Sequence, residues 1–409
     1  MIEWWVKTWR VTLVAAAVFG LQAGAADADG RGGLVWVPAY LSSPAAPIIN
    51  VPREVIPPPQ EVRGTVRYKL SLWADGERLA LRLSNEAGTK ALRIGHVTAA
   101  VQEGTRRKFV DVTFGGSLSL VIPAGAPALS DPIPLSVKPG SDLLVSVYLP
   151  EPYTHTQSDG ARPAEYSPRV DETASGSLSN AQPLFIRPIV SAVLSLTKSR
   201  RRDAIVTLGD SITDGTGVKS ADIRGWPDLL AARLLKERAS DDIVANAGIS
   251  GNRLLSDGWG ISALARFDRD VLSLPSVKHV ILLEGVNDIG SVRTGSSGAF
   301  PPTSQDLVRA YRQLIARAHQ RGIHVVCGTL LPFEGSFYSS VETERMRQQV
   351  NAWLRDGREC DALIDFDQAM RDPANPRRLR VQFDSGDHLH PNDAGYRAMA
   401  ASIDLRIFR

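Results

Sequence analysis

The sequence is poor in cysteine, in net charge and in long apolar runs. Its 2 cysteines, Cys327 and Cys360, allow at most one disulfide in 409 residues. A formal net charge of +3 is too small to select nucleic acid or an acidic surface as a partner, and no basic run with interleaved aromatics is present. The one cationic cluster, Lys198-Ser199-Arg200-Arg201-Arg202, stands between two apolar strands and reads as a solvated linker. Beyond the N-terminal segment no run approaches the roughly 20 apolar residues that a bilayer demands. What remains is a chain with 34 glycines and 26 prolines that is longer than one core normally holds, so two domains are expected.

The N-terminus reads as an export signal over residues 1–25. Lys7 and Arg10 form a cationic flank, Val11 to Leu21 is apolar, and Ala23-Gly24-Ala25 supplies the small residues of a cleavage site. Glu3 and the Trp4-Trp5 pair are atypical of such a flank and leave an uncleaved anchor as the alternative. The mature protein is expected in the periplasm or outside the cell, with no membrane association after cleavage.

From 30 to 197 the texture is that of antiparallel strands with one wet face. Arg67 to Trp73, Arg78 to Ser84, Ser117 to Ile122 and Leu143 to Leu149 mostly alternate apolar with polar residues, and glycine, proline and asparagine turns separate them at short intervals. Period-2 alternation without helical stretches indicates a β-sandwich or jelly-roll. Such a domain is expected to bind carbohydrate, to close the rim of an active site, or simply to pack.

After the linker at 198–202 the pattern changes to alternating strands and helices over 203–409. Continuous apolar runs end near Leu208, Asn246, Glu284, Thr329 and Phe366, and helical stretches such as Trp226 to Lys236, Ser304 to Arg321 and Tyr338 to Arg355 lie between them. This is the mark of right-handed βαβ units and a doubly wound, flavodoxin-like parallel sheet of about five strands. In such sheets ligands collect at the carboxyl ends of the strands, so the residues just past each apolar run are the ones to weigh.

Gly209-Asp210-Ser211-Ile212-Thr213 follows the first run. A serine opening a helix is commonly only a cap, and it becomes a nucleophile only beside a base. The base is offered near the C-terminus, in Asp384-Ser385-Gly386-Asp387-His388-Leu389-His390-Pro391-Asn392. An Asp three residues before a His can accept its Nδ1 proton and leave Nε2 free for the serine. Two assignments compete, because His388 also lies close to Asp384 and Asp387. The spacing and the Pro391-Asn392 step favour Asp387 with His390. Asn287, in Glu284-Gly285-Val286-Asn287-Asp288, could aim an amide at a reacting carbonyl oxygen. Gly248, in Asn246-Ala247-Gly248-Ile249-Ser250-Gly251-Asn252, lacks a Cβ, so its N–H could approach a substrate. The same C-terminal loop holds enough acids and histidines for zinc, but a metal there would leave Ser211, Gly248 and Asn287 without a task; no metal and no cofactor are expected. There is no G-x-S-x-G around Ser211, since Thr213 stands where the second glycine would be, and the nucleophile elbow of α/β-hydrolases is not indicated.

On these four blocks the segment from about 203 to 409 resembles the SGNH, or GDSL, hydrolase family. The resemblance implies a serine esterase with Ser211 as nucleophile, Asp387 and His390 completing the triad, and an oxyanion hole made by the N–H groups of Ser211 and Gly248 with the Asn287 side chain. Asp210 and Asp288 are then expected as supporting or turn-fixing neighbours and His388 as a pocket-wall or hydrogen-bonding residue; Trp226 and Trp259 could line the pocket, with core packing the favoured role of each. Arg224-Gly225-Trp226-Pro227 and Gly328 to Phe333 are similar to a branch of secreted esterases that includes xylan-associated acylesterases. The implied substrates are short-chain acyl, chiefly acetyl, esters of small molecules or of plant polysaccharide such as xylan. A lysophospholipase, thioesterase or arylesterase of the same family is the alternative among enzymes, and a carbohydrate-binding protein the alternative outside them.

Cys327 lies inside the run Ile323 to Thr329, and Cys360 precedes the run Ala362 to Phe366. If these runs are parallel neighbours, the thiols are displaced along the strands, and a bridge needs Cα atoms within about 7 Å. Two reduced, buried cysteines are expected.

Overall fold

The computed structural model describes residues 33–45, 60–102, 104, 107–155, 163–198, 203–220, 225–237, 242–296 and 301–408. The export segment at 1–25 and all but the first residue of the cationic cluster at 198–202 lie outside the described residues.

Among the described residues up to 198 there are twelve strands: β1 (Leu34–Leu41), β2 (Gln60–Ser71), β3 (Arg78–Ser84), β4 (Leu92–Ile94), β5 (His96–Val101), β6 (Val110–Asp111), β7 (Leu120–Ile122), β8 (Pro127–Leu129), β9 (Asp142–His155), β10 (Ala164–Pro168), β11 (Gln182–Leu184) and β12 (Val190–Lys198). They form a 4-stranded sheet in the order β1-β12-β3-β8, a 6-stranded sheet in the order β11-β10-β2-β9-β5-β6, and a small β4-β7 pair. Every pairing is antiparallel. Val37, Leu81 and Val193 from the first sheet meet Val66, Val97 and Val147 from the second in one buried core, as a sandwich requires.

The C-terminal half holds β13 (Ala204–Gly209), α1 (Ser211–Asp214), α2 (Trp226–Glu237), β14 (Ile243–Gly248), α3 (Ala263–Phe267), β15 (Val277–Leu283), α4 (Val286–Thr294), α5 (Ser304–His319), β16 (His324–Gly328), α6 (Val341–Asp356), β17 (Ala362–Ile364), α7 (Phe366–Met370) and α8 (Asp393–Ser402). The five strands are parallel in the order β14-β13-β15-β16-β17, the flavodoxin-like order. Every residue of β13 is buried, because a central parallel strand is covered by helices on both faces. The chain leaves β13 for β14 on one side and later returns to β15 on the other. The switch point that results lies at the carboxyl end of β13, where such folds bind ligands. The register is level there, with Gly209 opposite both Gly248 and Leu283.

Local chemistry sets the ends of the elements that matter. Asp210 caps α1 by accepting the Ile212 N–H at 2.9 Å, and Gly215 closes this single turn at φ 107°. Asp365 caps α7 by accepting the Gln368 N–H at 3.1 Å, so β17 stops at Ile364 and Phe366 opens a helix rather than ending a strand.

The expectation of reduced cysteines is overturned. Cys327 and Cys360 form a disulfide with their Cα atoms 6.0 Å apart. Cys360 does not continue the line of β17: the chain bends at Cys360-Asp361, and Asp361 accepts the Val325 N–H at 2.7 Å while its own N–H donates to Val325 O at 2.9 Å. The bend carries Cys360 across to β16, cancelling the displacement that a straight strand would have imposed.

The two halves share a buried boundary. Leu41 and Ala192 of the sandwich belong to the C-terminal core, while Ile243 of β14 belongs to the sandwich core. Trp73 Nε1 donates to Asp228 of α2 at 3.0 Å.

Candidate active site

Three residues expected to act together meet at the end of β13. Ser211 sits at the N-terminus of α1, only 4% exposed, and its Oγ lies 2.8 Å from His390 Nε2. His390 Nδ1 lies 2.5 Å from Asp387 Oδ2. The other oxygen, Asp387 Oδ1, accepts the N–H groups of Leu389 and His390, each at 2.9 Å, and the Ser385 hydroxyl at 3.0 Å. Burial alone would raise the Asp387 carboxyl. The hydrogen bond from the His390 ring, with those from the backbone, outweighs it and holds the group well below the usual carboxylate range.

The competing pair is present as well, and it points elsewhere. His388 Nδ1 lies 2.5 Å from Asp384 Oδ2, and Asp384 Oδ1 accepts the His388 and Gly386 N–H groups at 3.0 and 2.8 Å. The loop thus holds two Asp–His pairs side by side, of which only that of His390 reaches Ser211. Leu389, 3% exposed, anchors the loop in the core between them. His388 takes φ 63°, its ring half-exposed against Gly335. Among the described residues no group of three or more His, Cys, Asp or Glu could hold a metal ion.

The groups expected to donate to a reacting oxygen differ in how their N–H bonds are engaged. As the first residue of α1, Ser211 has no intrahelical acceptor for its N–H. The Gly248 N–H is already committed, donating to Asn246 Oδ1 at 2.8 Å, while Asn246 Nδ2 donates to Thr213 O at 2.8 Å. Glycine is required at 248 for a packing reason instead: a Cβ there would lie 2.4 Å from Asp214 N, where the end of β14 runs against α1. Three residues on, the Gly251 N–H donates to no group among the described residues. Gly251 has φ 71°, and a Cβ on it would lie 2.5 Å from Trp259, which is half-buried beside it.

Asn287, 5% exposed near the start of α4, is held at both ends of its amide. Its Oδ1 accepts the Tyr338 hydroxyl at 2.9 Å, and its Nδ2 donates to Asn252 O at 2.8 Å with one N–H left over. Asp288, next along, ties α4 to the same loop by accepting the Leu254 and Leu255 N–H groups at 2.7 and 3.0 Å.

Beneath these groups lies a buried acidic layer. Burial pushes Asp210 up to about 7 and Asp288 up to about 6, against the backbone N–H bonds that each accepts. Glu284, just past β15, has no hydrogen-bond partner on either carboxyl oxygen among the described residues and is raised well above its ordinary value, first by burial and then by Asp210. Trp226 is fully buried and packs on Phe366 with ring centroids 5.3 Å apart, in the core-packing role favoured over the pocket. Tyr338, Gly251 and Asn252 carry no motif of their own that would single them out in the sequence.

A serine thus lies hydrogen-bonded to a histidine–aspartate pair at the switch point of a doubly wound sheet. Residues 207–398 match the family model of the GDSL-like lipase/acylhydrolase family, which marks this half of the chain as a carboxylic ester hydrolase domain. Solved structures similar to it include an acetyl xylan esterase from Geobacillus stearothermophilus (20% identity, 50% of this chain and 94% of that chain, TM-score 0.40). They also include the acetyl xylan esterase AlAXEase (24% identity, 49% and 96%, TM-score 0.37) and a GDSL-like lipase from Bacteroides thetaiotaomicron (20% identity, 51% and 90%, TM-score 0.38). Against curated proteins the chain has no significant match.

Proposed function

We propose that the protein is an exported serine esterase that removes short acyl groups, acetyl foremost, from polysaccharide such as xylan, with Ser211, His390 and Asp387 as its triad. The observation that carries the triad is the unbroken relay from Ser211 Oγ to His390 Nε2 at 2.8 Å and from His390 Nδ1 to Asp387 Oδ2 at 2.5 Å. His390 takes the Ser211 proton as the oxygen attacks the ester carbonyl, and Asp387 stabilises the imidazolium. The oxyanion is held by the N–H of Ser211, the free N–H of Asn287 and the N–H of Gly251. Gly251 takes the place first considered for Gly248, because the Gly248 donor is spent on Asn246. Each such donor is worth about 3 kcal/mol of barrier. His390 then protonates the departing alcohol, and water repeats the sequence on the acyl-enzyme.

The saccharide reading is supported by the site's rim. Phe337 is 64% exposed beside Tyr338, with ring centroids 4.2 Å apart, and Tyr338 itself holds Asn287. An exposed aromatic face next to the machinery suits the apolar face of a sugar ring. Export is supported by the Cys327–Cys360 disulfide, since such bonds persist in oxidising compartments.

The test is one panel: wild type and Ser211→Ala on aryl esters of increasing chain length and on acetylated xylan. Acetate release from xylan and a preference for the shortest aryl ester, both abolished in Ser211→Ala, are expected. Equal activity in the two proteins removes the nucleophile; preference for long chains removes the short-acyl reading.

A further inference from the structure

Arg187 belongs to the sandwich half, on the segment between β11 and β12, yet its side chain is only 7% exposed and reaches the base of the site. Its guanidinium donates to Asp214 Oδ2 at 2.7 Å, to Gly248 O at 3.4 Å, and to Ser42 Oγ and Ser43 O, each at 3.3 Å. Asp214 Oδ2 also accepts the Ser250 N–H at 3.2 Å. Asp214 is the last residue of α1, the turn that Ser211 opens, and Ser250 precedes Gly251. One side chain from the other half therefore grips both the turn that carries the nucleophile and the loop that carries the free N–H.

The segment Ser42 to Ala45, which follows β1, completes the grip. It is buried throughout. Arg266, 1% exposed, donates to Ser43 Oγ at 3.4 Å and also to Gly209 O at 3.0 Å, Ala247 O at 2.6 Å and Asn252 Oδ1 at 2.8 Å. Arg269 donates to Pro44 O at 3.0 Å. The partners of Arg187 and Arg266 on the hydrolase side lie almost entirely on the residues just before and after Ser211 and on 247–252. A contact that served only to fasten two domains has no reason to converge there.

We propose that Arg187 is a positioning residue for the esterase reaction: supplied by the sandwich, it locks the loop at 248–252 to α1, so that the Gly251 and Ser211 N–H groups keep one relative position through the reaction. The sandwich thus completes the active site without touching substrate. This rests on the reading of Ser211 as nucleophile. Fixed donors act on the transition state more than on the bound ester, so loss of Arg187 falls on kcat rather than KM.

The experiment uses the full chain as wild type, Ser211→Ala, Arg187→Lys and Arg187→Ala, with kcat and KM measured on an aryl acetate and amide hydrogen exchange read over 248–252. Arg187→Ala is expected to lose about 10- to 100-fold in kcat, with KM within about twofold, because a misplaced site costs this much. Arg187→Lys keeps a charge for Asp214 but cannot span the fork, so it should recover part of the loss. Exchange at 248–252 should rise about tenfold in both variants while that of β15 is unchanged. Wild-type kcat in Arg187→Lys, a change in KM alone, or faster exchange everywhere overturns the proposal; should Arg187→Ala fail to fold, the Lys variant decides. Wild-type turnover no better than Ser211→Ala refutes the esterase reading and the catalytic role together, whereas an active wild type matched by the Arg187 variants refutes this inference only.

Discussion

The Tyr338 hydroxyl donates to Asn287 Oδ1 at 2.9 Å, which fixes the Asn287 amide with its oxygen toward Tyr338 and its nitrogen toward Asn252 O. Burial pushes the Tyr338 hydroxyl up to about 12, so it remains a donor at every working pH. Without it the amide can turn over and present its oxygen to a developing negative charge. Tyr338→Phe should lower kcat on an aryl acetate by about 10-fold, a fraction of the full loss of an oxyanion donor, with KM nearly unchanged. Wild-type kcat in this variant would show that Asn252 alone orients the amide.

The two Asp–His pairs should separate sharply in activity. His390→Ala is expected to reduce kcat on the order of 10^4-fold or more, since it removes the proposed base. His388→Ala should stay within about tenfold, because its Nδ1 partner is Asp384 and its ring lies half-exposed on Gly335. Steady-state kinetics of the two variants on one aryl acetate decides this, and a larger loss in His388→Ala would reassign the base.

The acidic layer makes a signed prediction about pH. Asp210, Asp288 and Glu284 all have pKa values raised by burial, to about 7, to about 6 and well above the ordinary value respectively. They bind protons more tightly folded than unfolded, so their contribution is fully present below the unfolded carboxyl range near pH 4 and is lost as pH rises, for Asp288 and Asp210 through about 6 and about 7 and for Glu284 well above its ordinary range. Asp387 is shifted the other way, and its effect appears only as pH falls below about 4. Between pH 5 and 8 the first sign governs this cluster. Glu284→Gln removes the most deeply unpartnered carboxyl and should raise the melting temperature by a few degrees at pH 8 and by less at pH 5. Thermal melts of both proteins across that range check it; a gain larger at pH 5 than at pH 8 would contradict the sign.

The disulfide closes a separation of 33 residues, a constraint on the unfolded chain worth roughly 3 to 4 kcal/mol. Cys327→Ala with Cys360→Ala should lower the melting temperature by roughly 10 °C for a domain of this size. Denatured protein should take up no alkylating agent until a reductant is added, which intact mass reads directly.

Much of the C-terminal half was legible because its signals are local. The apolar runs of the central strands end within two residues of where they were read, at Gly209, Gly248, Leu283 and Gly328, and the candidate triad stands on residues that the Asp387–His390 spacing and the family resemblance together singled out. What escaped depends on contacts between distant segments. Gly248 and Gly251 look alike as letters, and only the Asn246 side chain decides which N–H is free. Cys360 was misjudged because a bend at Cys360-Asp361 breaks the strand direction. Arg187 gave no signal at all, since its partners, apart from Ser42 and Ser43, are on the other half of the chain.

The outer strand β17 is three residues long, and a disulfide clamps the chain just ahead of it. At the opposite border β14 lies against β1 of the sandwich. A parallel sheet with one border cut short and the other walled off has no length of bare backbone on which a second copy can grow edge to edge. The disulfide at one border and the domain boundary at the other thus leave this parallel sheet poorly suited to pairing edge to edge with a second copy.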